Sequence, residues 1–506
     1  MMIQHPDTGA ISNVRVDHRR LRARDMATLI DLVGAARAAG QRGMLIDVAR
    51  LTHVTAETLV RLVDVAAHGM PDLRVGLVGA GPRLFEVLRD AGLEPVLPVF
   101  TTRARALAHP IFRALQLAGC DAVVLCAGQG SRVAPLTTMQ PKPMLDLLGR
   151  PVLEHILRHL AGFGVSRVVL NPGHLGPQIP AHFSAGLNGT PDIFYVNEGC
   201  VTPQGWHASP VGSASTLATL AHSHNLLDRD TIVMCGDAVV DIDLADMMAT
   251  HRASGAAVTI AAQTVAPDAV EKYGIMVTDP EGRITQFQEK PARAEAQSRL
   301  ANAGIYILSP AIRPLLEDRA GLDIAGDLLP RVAAAGLTMA AYSATFAWTD
   351  IGCGRDYARA VFAGLSDGVP GLEPGVELRG DGLWAHPSAR VARGADISGP
   401  VYIAAGASVA AGARVVGPCA ILAGSEVAAG AFVSRSILMP GTQAGSDAWV
   451  DGMIAAPDWA VAHAHADGSA QPTAPIDGVG PVRAAPSERP GIRVAPMGRA
   501  TGEVAA

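Results

Sequence analysis

Eight aliphatic residues, Val391, Ile397, Ile403, Val409, Val415, Ile421, Val427 and Val433, follow one another at an unbroken spacing of six. Gly394, Gly406, Gly412, Gly424 and Gly430 keep the same period. A helix repeats about every 3.6 residues and a strand about every two, so neither accounts for the pattern. A repeat of six marks a parallel β-helix, in which each coil stacks its aliphatic residues on those of the next. Residues 380–455 are therefore expected to form such a coil.

At 506 residues the chain exceeds what one core usually holds, so two to four domains are expected. Hydrophobic residues make up 49% and charged residues 17%, enough to bury sizeable cores. A net charge of −6 argues against nonspecific nucleic-acid binding. The basic cluster Arg19, Arg20, Arg22 and Arg24 is short and reads as a solvated helix start. Cys120, Cys126, Cys200, Cys235, Cys353 and Cys419 show no paired metal-ligand spacing, and several read as small core residues. The N-terminus lacks a signal-peptide core, and no apolar stretch is long enough to span a bilayer. A cytoplasmic protein without a membrane span is the expectation.

The chemistry is concentrated from Cys126 to Met144, C-A-G-Q-G-S-R-V-A-P-L-T-T-M-Q-P-K-P-M. This string follows an apolar run, Ala122 to Leu125, that reads as a buried strand. Gly128 and Gly130 permit tight turns and close approach to a ligand. Exposed backbone N–H groups in such a loop favour an anion, and Arg132 and Lys142 add full positive charges. The loop is not a P-loop, because no Gly-Lys pair lies in it, and Val133 stands where a dinucleotide fingerprint wants a third glycine. Further apolar runs, Val168 to Leu170, Thr231 to Cys235, Val258 to Ala262 and Ile305 to Leu308, alternate with helical segments. The expected fold of residues 118–363 is a doubly wound, mostly parallel α/β sheet, with ligands at the carboxyl ends of its strands. Two aspartates follow apolar runs there. Asp237 ends Met-Cys-Gly-Asp, and Asp350 lies in Trp-Thr-Asp-Ile-Gly. Such carboxylates can hold a hard cation such as Mg²⁺.

The whole string at 126–144 resembles the signature of sugar-1-phosphate nucleotidylyltransferases, G-G-x-G-T-R-L-x-P-L-T-x-x-x-P-K-P. Ala127, Ser131 and Val133 replace its first glycine, threonine and leucine. The resemblance implies that Ala127, Gly128, Gly130, Ser131 and Arg132 bind the nucleotide, with Arg132 and Lys142 catalytic. It implies that Asp237 and Asp350 hold the catalytic Mg²⁺, Asp237 as a catalytic residue too. Gly212 and Ser213, in Val-Gly-Ser-Ala, resemble an element near the nucleoside. Glu289 and Lys290 match the E-K-P element on the sugar phosphate, and Asn302 and Gly304 match N-A-G-x-Y beside the sugar. The coil at 380–455 resembles the left-handed hexapeptide β-helix found behind many such domains. The order of parts looks most like mannose-1-phosphate guanylyltransferases, implying GTP and mannose 1-phosphate. Thymidylyl, uridylyl and adenylyl relatives share nearly all of these motifs.

Residues 1–112 alternate strands, Met44 to Val48 and Leu73 to Val78, with amphipathic helices, Ala23 to Ala38, Ala56 to His68 and Pro82 to Asp90. This small α/β unit resembles a STAS domain at Leu45-Ile46-Asp47-Val48, at Leu51 to Leu59 and at Val99-Phe100-Thr101-Thr102. The resemblance implies a protein partner at the turn Thr55 to Thr58, where Glu57 stands and no serine does. Residues 465–506 are rich in Ala, Pro and Gly, and a disordered tail is expected. A homo-oligomer assembled through the coil is expected as well. Two other readings compete with the enzyme. One is a regulatory protein sensing sugar nucleotides, which degenerate aspartates or a missing lysine would support. The other is acyl transfer by the coil, where His386 is the one obvious base.

Overall fold

The computed structural model describes residues 2–8, 10–184, 186, 190–366, 372, 374–380, 382–466 and 478–481. They fall in two compact units, one running to residue 375 and taking in 464–466, the other holding 376–463 and 478–481. The N-terminal and central segments, expected as separate domains, pack into one unit, although each keeps its own sheet.

The first sheet has five strands, Met2–Thr8, Ile11–Arg15, Gly43–Asp47, Arg74–Val78 and Val99–Phe100, paired in sequence order. The first pair is antiparallel and the rest are parallel. Side-chain alternation decides which face each residue covers. Met44, Ile46, Val75 and Leu77 share a core with Leu29, Leu62 and Leu84 of helices Ala23–Ala38, Ala56–Gly69 and Pro82–Asp90. Leu45 and Val78 face the other way, into a second small core with Phe100 and Phe112. Gly76 makes room for that ring, since a Cβ there would lie 2.7 Å from Phe112. The helices match their expected spans closely. The first two strands carry too little apolar pattern to be read from sequence.

The central sheet has nine strands. Asp192–Tyr195, Arg167–Leu170, Asp121–Leu125 and Thr231–Cys235 are neighbours and all parallel. Leu300–Leu308 then runs antiparallel to Thr231–Cys235 and to Val258–Thr264, which is parallel to Met339–Tyr342. A hairpin, Gly274–Thr278 and Ile284–Glu289, attaches to Leu300–Leu308. Most strands thus share one direction, with a reversal at Leu300–Leu308. Buried parallel and antiparallel strands both read as short apolar runs, so this reversal has no sequence signal. Val123, Val169 and Val233 pack against Leu217 and Leu220 of helix Ser213–Ser223.

In the second unit, strands stack parallel in three sheets. Val391 pairs with Val409, Val409 with Val427, and Val415 with Val433, so three hexads make one coil, as in a parallel β-helix. Ile403, Val409, Val415, Ile421, Val427 and Val433 are fully buried in one core. The expected tail lies mostly outside the described residues. Its described part, Val479–Pro481, instead pairs antiparallel with Thr442–Ala444. Among the described residues no helix is long and apolar enough to cross a membrane.

Phe112 is fully buried, and truncating it leaves a void in the second core of the first sheet, among Ile11, Leu45, Val78 and Phe100. Phe112→Ala should cost about 3–5 kcal/mol of stability. A urea titration showing under about 1 kcal/mol of loss would mean that the segment does not hold that face.

Candidate active site

The glycine loop leaves the carboxyl end of strand Asp121–Leu125, which lies between Arg167–Leu170 and Thr231–Cys235 in the parallel half of the central sheet. Its first N–H, on Cys126, donates to Asn171 Oδ1 at 2.6 Å. Ala127 is buried, whereas Gly128 is exposed and a Cβ built on it would meet nothing within 4 Å. Gly130 has a φ of +64°, and its carbonyl accepts from the Thr137 hydroxyl at 2.9 Å. Ser131 and Arg132 then lie exposed in a single turn, Ser131–Val133. Arg132 makes no ion pair among the described residues. Lys142 is buried, and its Nζ lies 2.6 Å from Asp237 Oδ2.

Asp237 and Asp350 meet because a two-stranded ribbon, Ala238–Val240 with Trp348–Asp350, pairs Ala238 with Asp350. The Ile351 N–H donates to the Asp237 carbonyl at 3.1 Å and closes the same end. Burial, and then the Asp237 carboxylate, push Asp350 up to about 6, while Lys142 and Arg132 pull the other way. Two carboxylates at one end of the ribbon, one of them ion-paired with Lys142, offer hard oxygens that suit a divalent cation. No cluster of three or more acidic, His or Cys groups exists among the described residues. The remaining coordination positions would fall to phosphate oxygens and water, the usual arrangement for Mg²⁺.

On the opposite side, Gly212 precedes helix Ser213–Ser223 with a φ of +98°. A Cβ there would lie 2.4 Å from the Leu322 carbonyl oxygen. Ser213 Oγ accepts from the Ile324 N–H at 2.9 Å, so its hydroxyl is partly engaged inside the protein. Beneath lies a buried acid with no sequence signal. Glu198 accepts from Asn171 Nδ2 at 2.9 Å, from the Thr216 hydroxyl at 2.5 Å and from the Val211 N–H at 2.9 Å. Through Asn171 it ties the start of the glycine loop to the turn that carries Gly212.

The remaining sequence-derived residues are less convergent. Glu289 ends the hairpin opposite Gly274. Lys290 Nζ lies 2.9 Å from Glu289 Oε1, with both side chains largely exposed. Lys290 has a φ of +44°, a strained value for a side-chain-bearing residue and one that functional sites tend to hold. Its N–H donates to the Tyr273 carbonyl at 3.2 Å, and the Tyr273 ring lies 5.0 Å from that of Trp348. Burial, followed by Asp350 and Asp356, pushes the Tyr273 hydroxyl up to about 12. Tyr273 thus bridges the hairpin and the aspartate ribbon, a role that the sequence reading missed. Asn302 is turned into its own strand, donating to the Tyr306 hydroxyl at 2.8 Å and accepting from the Gly304 N–H at 2.9 Å. Gly304, with a φ of +73°, lets the backbone pass Cys235, whose Sγ would lie 3.0 Å from a Cβ there.

A family model described as Nucleotidyl transferase matches residues 121–365. A UTP–glucose-1-phosphate uridylyltransferase from Synechocystis is 36% identical over 283 residues, 56% of this chain and 73% of that protein. A mannose-1-phosphate guanylyltransferase from Mycobacterium tuberculosis is 31% identical over 291 residues, 57% of this chain and 76% of that protein. A solved structure titled as a putative glucose-1-phosphate thymidylyltransferase from Bacillus anthracis overlaps with a TM-score of 0.42 at 18% identity, over 51% of this chain and 97% of that one. The chain belongs to the nucleotidyl transferase family. It is a transferase of the sugar-1-phosphate nucleotidyltransferase class.

Gly212→Ala forces a Cβ onto the Leu322 carbonyl at an unfavourable φ. The strain, about 1–3 kcal/mol, should raise the triphosphate KM by roughly tenfold or more. Steady-state kinetics with an unchanged KM would show that this turn does not face the nucleotide.

Proposed function

We propose that the chain transfers the nucleotidyl group of UTP to glucose 1-phosphate, or that of GTP to mannose 1-phosphate, releasing pyrophosphate. The observation that carries the reading is the meeting of Arg132, Lys142, Asp237 and Asp350 at the mouth of the glycine loop. Between the two substrate pairs, UTP with glucose 1-phosphate has the support of the 36% identical relative. The pair expected from sequence, GTP with mannose 1-phosphate, has that of the 31% identical one. We favour the former.

In this reading a sugar-phosphate oxygen attacks the α-phosphorus of the triphosphate. The bond to the β-phosphate oxygen breaks, and its electron pair leaves with pyrophosphate. Arg132, exposed and without a counter-ion, stabilises the leaving charge. The backbone from Ala127 to Ser131 cradles the triphosphate, and Gly212 and Ser213 border the nucleoside. Lys290 holds the sugar phosphate, while Glu289, Asn302 and Gly304 border the sugar. Lys142 balances one of two adjacent acids, so an incoming triphosphate does not meet two bare carboxylates. Mg²⁺ held by Asp237 and Asp350 would supply Lewis-acid polarisation of phosphate oxygens.

The N-terminal sheet is proposed to be a STAS-like module that docks a protein partner, and the coil to be left-handed and to assemble subunits. Neither is needed for the chemistry.

Pyrophosphate release should require a triphosphate, a sugar 1-phosphate and Mg²⁺ together, and should stop when EDTA removes the cation. A panel of five triphosphates against several sugar 1-phosphates should give its highest kcat/KM with UTP and glucose 1-phosphate. Clear binding without turnover across the panel would leave a sensor of sugar nucleotides as the better account.

Asp237→Asn and Asp350→Asn remove a hard anionic ligand with almost no change in volume. Each should lower turnover by about 10²–10³ while leaving the fold intact. A variant with near-normal rates at saturating Mg²⁺ would lose its assignment as a ligand.

A further inference from the structure

The four clustered arginines are exposed at a helix start, as the sequence reading has them, and three of them, Arg19, Arg20 and Arg22, border a cavity. The cavity has a volume of about 470 Å³ and lies in the N-terminal part of the first unit. Arg19, Arg20, Arg22 and Arg61 line it, with the Thr55 and Thr58 side chains. These residues come from two places more than thirty positions apart. They meet because the Thr52 and His53 N–H groups both donate to the Arg19 carbonyl, at 3.1 and 3.0 Å. Leu21, between the arginines, is buried in the core and pins the loop there.

The charge in this cavity is unbalanced. Its one acidic side chain, Glu57, is already taken by Arg61, 2.5 Å away. Arg19, Arg20 and Arg22 make no ion pair among the described residues. Three uncompensated guanidinium groups around one concavity repel one another, and an anion relieves that repulsion. Helices Ala23–Ala38 and Ala56–Gly69 both begin at the cavity, adding the partial positive charge of two N-termini. His18 is the one ring in the lining, and the rest of the wall presents chiefly guanidinium and hydroxyl groups that suit phosphate oxygens. Arginine forks match phosphate oxygens in pairs.

We infer that this cavity is a second ligand site, separate from the catalytic one, for a small molecule that presents a diphosphate group. Pyrophosphate and the diphosphate bridge of a nucleotide sugar share that chemistry. The inference does not depend on which substrates the catalytic site uses.

The test is isothermal titration calorimetry on the full chain with sodium pyrophosphate. Three proteins are compared: wild type, Arg20→Ala/Arg22→Ala, and Lys142→Met, which weakens the catalytic site. The wild type should show two classes of site. Lys142→Met should keep the one that Arg20→Ala/Arg22→Ala loses, with binding there weakened at least roughly tenfold by the loss of two charge-assisted contacts. The double variant should keep its turnover, and Arg20→Lys/Arg22→Lys should recover part of the binding. Repeating the titration with UDP-glucose separates the sources: tighter binding than pyrophosphate assigns a nucleotide sugar, weaker binding the free anion. A double-variant isotherm that superimposes on wild type, or sulfate binding as tightly as pyrophosphate, would overturn the site.

Discussion

The Lys142 ammonium lies 2.6 Å from Asp237 Oδ2, and Asp350 stands at the same end of the short ribbon. Two carboxylates held this close resist ionising together. Burial first, and then the Asp237 carboxylate, push Asp350 up to about 6. The site needs positive charge to exist at all, and the glycine loop supplies it. Lys142 closes that loop and Arg132 lies on its turn, so one segment both carries the exposed glycine turn and compensates the acids. This coupling explains why the loop, the ribbon and the strand ends must be built to one another's dimensions.

The loop in turn depends on a buried acid. Glu198 has no cation among its hydrogen-bond partners, yet both of its oxygens are occupied. A buried carboxylate is tolerable when its lone pairs are filled in this way. The network joins Asn171, the Cys126 N–H and the Val211 N–H. It therefore sets the spacing between the glycine loop and the Gly212 turn. Tyr273 does a similar job beside the hairpin, linking Lys290 to the ribbon of Asp350 through Trp348.

The appended parts follow other rules. The N-terminal sheet buries both faces by alternation, with Phe112 and the helices around it covering the second face. Its charge surplus collects where two helices start, a feature independent of the core that holds them. The coil is held by contacts between neighbouring turns, mostly aliphatic on aliphatic in the core, so its stability is close to a sum of nearest-neighbour contacts.

Patterns local in the chain were legible before any coordinates. The period of six predicted the stacked coil, because every coil must present the same side chain inward. Helices Ala23–Ala38 and Pro82–Asp90 matched their expected spans, since amphipathic spacing is a property of the segment alone. The string at 126–144 was legible as a glycine-rich loop after a buried strand, because its residue types are local to the segment. Relations between distant segments were not legible. The reversed strand Leu300–Leu308, the ion pair of Lys142 with Asp237 ninety-five residues away, and Glu198 between Asn171 and the Gly212 turn all depend on partners that sequence spacing does not reveal. The arginines at 19–22 are exposed as read, but their neighbours across the fold, Thr55 to Arg61, were invisible in the sequence. Electrostatic character is a sum over space, so only the tertiary structure could decide it.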